Sequence, residues 1–250
     1  MSPPLSKRTF IIETLRKRYR QHIPYGVRRG FCQSKTWLKD KREGIVFASA
    51  NMNLETAIPC HCLTIEQRIM PSKTYDNKVH NLKLAAQLIE QVILQPNDVF
   101  SFTKVINNPT THRGFLNSRA LVNGGLEQTE GGGLCQLSGL LYQLALQCQL
   151  IIVERHNHSM DIYTEETRFT PLGSDATIVY GFKDLRIRNQ MASTLRFQFK
   201  FEHERILGSI YSTEILPTQT VRFVTVQHTP TKIVHTKTSD GRCLTISKYQ

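Results

Sequence analysis

The stretch Gly131-Gly132-Gly133-Leu134-Cys135-Gln136-Leu137-Ser138 constrains this 250-residue chain more than any other feature. Three consecutive glycines permit backbone angles closed to other residues and leave no side chains to block a ligand. Directly after them Leu137, Leu140, Leu141, Leu144, Ala145 and Cys148 recur at helical spacing. The pattern predicts a turn leading into an amphipathic helix of about four turns, with Cys135 in its first turn. A helix with so apolar a stripe has to be buried, so the fold is built around it. Cys148 falls on the apolar side and reads as an inert core thiol.

The surrounding elements define an α+β class, with a mixed or antiparallel sheet packed on that central helix. Leu82, Ala85, Ala86, Ile89, Val92 and Ile93 form a second helical stripe over residues 78–94. Residues 45–48 read as a short strand, Pro96-Asn97-Asp98 as a turn, and residues 99–102 as a strand. β-branched residues 150–154 predict a strand that carries the chain to His156 and His158. Residues 176–181 and 185–188 predict two more strands. Residues 194–201 alternate apolar and polar, as in a strand with one wet face. The chain divides into a basic, partly helical arm (1–45), an α+β domain (46–200) and a β-rich extension (201–250). In the arm, Phe10, Ile11, Leu15 and Tyr19 fall near helical spacing, and Pro24 and Gly26 are expected to end that helix.

Charge is concentrated in the arm. Residues 1–50 hold 12 Lys or Arg against 3 Asp or Glu, while the whole chain carries +12. Such an arm fits an anionic membrane surface. No zinc finger, helix-turn-helix or aromatic-and-basic RNA motif accompanies it, which argues against a nucleic-acid partner. Cys60-His61-Cys62 lacks the second matched pair of a zinc site, so neither a metal nor another cofactor is expected. Residues 1–38 show no secretory apolar run, and no 18-residue apolar stretch occurs. The expectation is a cytoplasmic protein, peripheral to the membrane, with six free thiols.

A cysteine at a helix start has its thiolate favoured by unpaired N–H groups and the positive end of the macrodipole. Gly131, Gly132 and Gly133, the amides of Cys135 and Gln136, and the Gln136 and Ser138 side chains are candidate substrate or oxyanion donors. A thiolate nucleophile needs an imidazole partner, and His158 is the candidate base. His156, two residues away, would share its face on a strand. Asp175 is the first choice to orient the imidazole, with Asp161 and Asp184 as alternatives. Arg155 is a candidate partner for a substrate carboxylate. The order Cys on a helix, His on a strand and Asp on the next strand matches a transglutaminase or papain-like plan. Two functions fit: a cysteine-dependent amide hydrolase or transpeptidase acting on a peptide, or a binding module that captures a carboxylate of a peptide or cell-wall fragment at the glycine turn.

A series of blocks resembles the VanW family, accessory proteins named from B-type vancomycin-resistance clusters. They are Asn77-Lys78 with residues 81–86, residues 96–102, residues 131–138, Glu154-Arg155-His156-x-His158-Ser159, Pro171-x-Gly173-x-x-Ala176-Thr177, Asp184-Leu185 and Asn189. They cover roughly residues 77–189. The resemblance implies a link to vancomycin resistance and cell-envelope metabolism, and it assigns no mechanism. One departure is Asn97, where the family turn usually has glycine.

Overall fold

A computed structural model describes residues 22–50, 60–122, 125–161, 168, 170–229 and 231–250. The chain forms two compact units, Met1–Ile45 and Val46–Gln250. In the first unit the described element is helix α1 (Tyr25–Arg42). Pro24 stands at its N-terminal boundary and Gly26 in its first turn, while the helix they were expected to end falls largely outside the described residues. A proline there forfeits no intrahelical bond, because the first amides of a helix lack partners in any case. Phe10, Ile11, Leu15 and Tyr19 lie outside the described residues.

The second unit runs β1 (Cys60–Arg68), α2 (Tyr75–Glu90), β2 (Ile93–Leu94), β3 (Val99–Ser101), α3 (Phe102–Ile106), a 3-10 turn (Thr111–Arg113), β4 (Asn117–Val122) and β5 (Gly125–Glu130). It continues with α4 (Leu134–Gln147), β6 (Ile151–Glu154), β7 (Arg186–Arg188), β8 (Leu195–Glu202), β9 (Arg205–Ser212), β10 (Val221–Gln227), β11 (Lys232–Thr238) and β12 (Cys243–Tyr249). The fold is α+β. Its largest sheet has the order β1-β9-β8-β2; others are β3-β7-β6, β10-β11-β12 and the hairpin β4-β5. Every ladder between these strands is antiparallel.

Helix α4 is the centre of the core. Leu137, Leu140, Leu141, Tyr142, Leu144 and Ala145 are completely buried against α2, β1, β6 and β9. Each large side chain so buried contributes about 2 kcal/mol of transfer free energy. Close approach to β9 depends on Gly208, where a Cβ would stand 2.8 Å from Leu140 Cδ2. The boundary expected at residue 200 falls inside β8. The segment beyond it is continuous with the core, since β9 pairs with both β1 and β8.

Three local expectations differ from the structure. Residues 45–48 make only an isolated bridge, Phe47 to Val99. Residues 176–181 form no strand. Their amides are used locally instead, Thr177 N–H donating to the His156 carbonyl and Val179 N–H to the Lys183 carbonyl. Strand β6 ends at Glu154, so His156 and His158 lie beyond it on irregular backbone. The family departure at Asn97 has a plain cause: its φ is 68°, a conformation that glycine adopts freely and asparagine tolerates.

Candidate functional site

The glycine turn is a packing device before it is a binding one. Gly131 and Gly133 have φ of 67° and 95°. A Cβ at Gly131 would lie 2.6 Å from Pro109, at Gly132 2.0 Å from the Ser118 carbonyl oxygen, and at Gly133 2.6 Å from Lys78 Cγ. The space expected to admit a ligand at Gly131 and Gly132 is therefore filled by the chain itself. Gly133 alone of the three lines the pocket described below. The outcome is a fixed start for α4, with Cys135 in its first turn.

Cys135, His158 and Asp175 stand in a chain. His158 Nδ1 lies 2.7 Å from Asp175 Oδ2, and the His158 backbone N–H donates to the same oxygen at 2.6 Å. With Nδ1 engaged there, the other ring nitrogen is left for the hydrogen bond to the Cys135 thiol. Asp175 is fixed from its far side. Arg155 Nη2 donates to Oδ1 at 3.1 Å, Arg155 Nε donates to the Asp175 carbonyl at 2.7 Å, and the Tyr249 hydroxyl donates to Oδ1.

The electrostatics follow from that chain. Burial alone pushes the Cys135 thiol up, but the hydrogen bond and charge of His158, with the Ile178 backbone N–H, bring it below its ordinary value. Burial opposes a charged His158, yet Asp175 and Cys135 raise its pKa to about 10. Burial also opposes the Asp175 carboxylate, and His158, Arg155 and Tyr249 hold it at about 2 nonetheless. These shifts all act toward a thiolate–imidazolium pair backed by a carboxylate, the form in which a thiol is nucleophilic.

The other predicted site residues are placed as follows. Arg155 does not reach the pocket. Its guanidinium, 6% exposed, donates to Asp175, Gly173 and Ser247 and lies over the Tyr142 ring, so it steadies the carboxylate rather than a substrate. Ser138 is fully buried and donates to the Ala176 carbonyl at 2.6 Å, which docks the Asp175 loop on α4. Gln136 lines the pocket, but its backbone N–H donates to the Gly133 carbonyl and is spent as an oxyanion donor. His156 turns to Glu154 Oε1 at 2.9 Å, because its backbone is not the strand that would align it with His158. Asp184 accepts from Ser101 Oγ, Thr103 N–H and Arg186 Nε, a structural knot at the start of α3. Asp161 accepts from Arg168 and Lys232.

Sequence reasoning missed four contributors: Tyr249, the Ile178 amide, Lys78 and Arg119. Cys135 and His158 open on a cavity of about 180 Å³ whose wall includes Lys78, Arg119, Gln67 and Gln136. Among the described residues no group of three or more His, Cys, Asp or Glu side chains could hold a metal ion. None of their helices is long and apolar enough to cross a membrane.

The model of the family described as VanW like protein matches residues 77–211. The chain belongs to the VanW family. It is 32% identical over 137 residues to the vancomycin B-type resistance protein VanW of Enterococcus faecalis (strain ATCC 700802 / V583), covering 55% of this chain and 50% of that one. It is 30% identical over 140 residues to the uncharacterized protein YoaR of Bacillus subtilis (strain 168), covering 56% of this chain and 45% of that one. The chain thus spans about half the length of these VanW-family relatives. No solved structure matches it. Cys135, His158 and Asp175 all lie inside the family match, whereas Tyr249 lies beyond it.

Proposed function

We propose that this VanW-family chain is a cysteine-dependent acyl-transfer enzyme, an amide hydrolase or transpeptidase acting on a peptide of cell-envelope metabolism. The observation that carries the proposal is the continuous chain Cys135–His158–Asp175 opening on a cavity. In the proposed reaction the Cys135 thiolate adds to an amide carbonyl. The Cys135 backbone N–H at the start of α4 is the donor assigned to the developing oxyanion. His158 gives its proton to the departing amine as the C–N bond breaks, leaving a thioester on Cys135. Water or a second amine then adds to the thioester, gives a proton to His158, and regenerates the thiolate. The name of the Enterococcus relative ties it to vancomycin resistance, and we propose the same setting for this chain.

The test is alkylation of Cys135 by iodoacetamide across pH, followed by intact mass and peptide mapping. The expected result is rapid labelling with an apparent pKa below the unperturbed value of about 8.5, lost in His158→Ala. Labelling no faster than at Cys32 or Cys243 would overturn the proposal and leave a binding module. That second function predicts peptide binding that survives Cys135→Ser.

We also propose an anionic membrane surface as a partner of α1. That helix exposes Tyr25, Val27, Phe31, Trp37 and Leu38 among Arg28, Arg29, Lys35, Lys39, Lys41 and Arg42. Apolar and cationic side chains on one helix suit the interface of an anionic bilayer.

A further inference from the structure

Two sheets of the second unit end side by side. Among the described residues β6 pairs with β7 alone and β12 with β11 alone, so each is an edge of its sheet. The two strands run in the same direction and are fastened where they end. Arg155 Nη1 donates to Ser247 Oγ at 2.6 Å, Asn157 Nδ2 to the Lys248 carbonyl at 2.7 Å, and the Gln250 N–H to the Ser159 carbonyl at 2.9 Å. Ahead of those ties no ladder joins the strands, and a cavity of about 480 Å³ lies between them. It shares no lining residue with the cavity beside Cys135.

The cavity meets both strands edge-on. Its wall takes residues 152–155 and 244–246 in unbroken succession. Successive side chains of a strand point to opposite faces, so a wall of consecutive residues runs along the strand edge. There the N–H and C=O groups have no neighbouring strand. Each strand also carries a bulge at this point. The register of β6 on β7 shifts between Ile152 and Glu154, and that of β12 on β11 passes from Thr245 to Cys243. The extra residues, Val153 and Leu244, both line the cavity. A bulge bends its strand and re-aims it, and these two splay β6 from β12. Proteins ordinarily blunt an edge with proline or free charge. Residues 151–153 are Ile-Ile-Val, and Glu154 is engaged by His156 and Arg186. This edge is protected by position instead: it faces a second edge across a cleft, which admits a single strand rather than another sheet.

From this geometry we infer that the cleft binds an extended peptide segment, which adds as a strand between β6 and β12. Main-chain hydrogen bonds hold it on both sides, the mode of recognition that an open sheet edge offers. Lying antiparallel to both neighbours, the better paired arrangement, it joins two three-stranded sheets into one. A peptide backbone repeats its donors and acceptors at the spacing of both edges, which a saccharide does not. Leu146, Leu150 and Ile152 give the cleft an apolar wall, so every second side chain of the segment is apolar. Of the charged residues on the wall, Glu154 and Arg155 are engaged by the partners already described, which leaves the exposed Arg242 to select the charge of the ligand. The segment therefore carries a carboxylate beside Arg242. Cys135 takes no part, so the inference stands or falls apart from the acyl-transfer function.

The test uses blocked, fluorescein-labelled heptapeptides of alternating valine and threonine, with a glutamate or a lysine next to one end or the other. Each is titrated with the full chain by fluorescence anisotropy. Beside it runs a version N-methylated at alternate amides, which keeps the side chains and loses the donors for one edge. At least one glutamate peptide should bind about tenfold more tightly than its lysine counterpart, as a charge-assisted contact allows, and more tightly than its N-methylated form. Arg242→Glu, a change at an exposed side chain, should reverse the charge preference. Amide hydrogen exchange, read by mass spectrometry, should slow in residues 151–155 and 243–246 when the peptide is bound. No binding by any peptide, equal binding by the N-methylated forms, a charge preference unchanged in Arg242→Glu, or unchanged exchange in those two stretches would overturn the inference. Slowed exchange there with chitotetraose and with no peptide would overturn it in favour of a saccharide.

Discussion

Replacing Asp175 by asparagine keeps the shape of the side chain and removes the charge on which His158 and Arg155 converge. Two effects can be sized. A carboxyl taken from 3.8 to about 2 is held as an anion by about 2 kcal/mol of native interaction. Removing it also strands the Arg155 guanidinium, and losing one partner of a buried pair costs ~3–5 kcal/mol. Arg155 keeps its bonds to Gly173 and Ser247, so the low end, about 3 kcal/mol, is expected. For a unit of this size that lowers Tm by roughly 6–12 °C. The pH dependence follows from the signs. Asp175 is depressed, so its contribution is present above about pH 4 and lost as pH falls through about 2. His158 is raised from 6.5, so its contribution is complete below about pH 6.5 and lost as pH rises through about 10. Thermal melts of the wild type should show both limbs, and the variant should show neither at full height. Thiol reactivity is the sharper assay. Without the carboxylate, His158 is less readily protonated and Cys135 returns toward about 8.5, where only ~0.3% is thiolate at pH 6. Iodoacetamide labelling at pH 6 should fall at least tenfold. A folded Asp175→Asn protein that labels at pH 6 as fast as wild type would refute the reasoning.

Further perturbations test other parts of the argument. Tyr249→Phe removes the hydroxyl that donates to Asp175; it should cost about 2 kcal/mol, as expected of a bond to a charged acceptor, and slow labelling at pH 6 less than Asp175→Asn does. A denaturation midpoint equal to wild type would contradict it. Gly132→Ala puts a Cβ 2.0 Å from the Ser118 carbonyl oxygen, a backbone atom that cannot swing away. About 3 kcal/mol of overpacking is expected, and an unchanged urea midpoint would show that the turn yields. Trp37 is the sole tryptophan and is exposed on α1. Its emission should shift to the blue with anionic phosphatidylglycerol vesicles and return at about 1 M salt, where screening reaches within ~3 Å; an unshifted spectrum at low salt would remove the membrane proposal.

Much of this was legible where short-range physics decides. The stripe from Leu82 to Ile89 became α2, buried on a 3.6-residue period, and the one from Leu137 to Ala145 became α4, which is buried on every side from Gln136 to Leu146 rather than amphipathic. Residues 194–201 alternated and became β8. Cys135 stood out by its glycines, and His158 by its place after a strand. What failed was composition without context. Residues 176–181 have strand composition but run as a loop, because Ser138 and the His156 carbonyl claim their polar groups. The glycines advertised open space, and Pro109, Ser118 and Lys78 filled it. Tyr249 was invisible because it lies 74 positions from Asp175, with no local signal to join them.

Tyr249 and Ser247 have one more consequence. The trio that would do the chemistry lies within residues 77–211, while the hydroxyls that steady Asp175 and Arg155 come from β12, outside that span. Reagent and adjustment are thus written in separate stretches of one gene. A change in the terminal sheet can retune how acidic the thiol is without altering a reacting atom, so a lineage can vary the vigour of the site while leaving its chemistry intact.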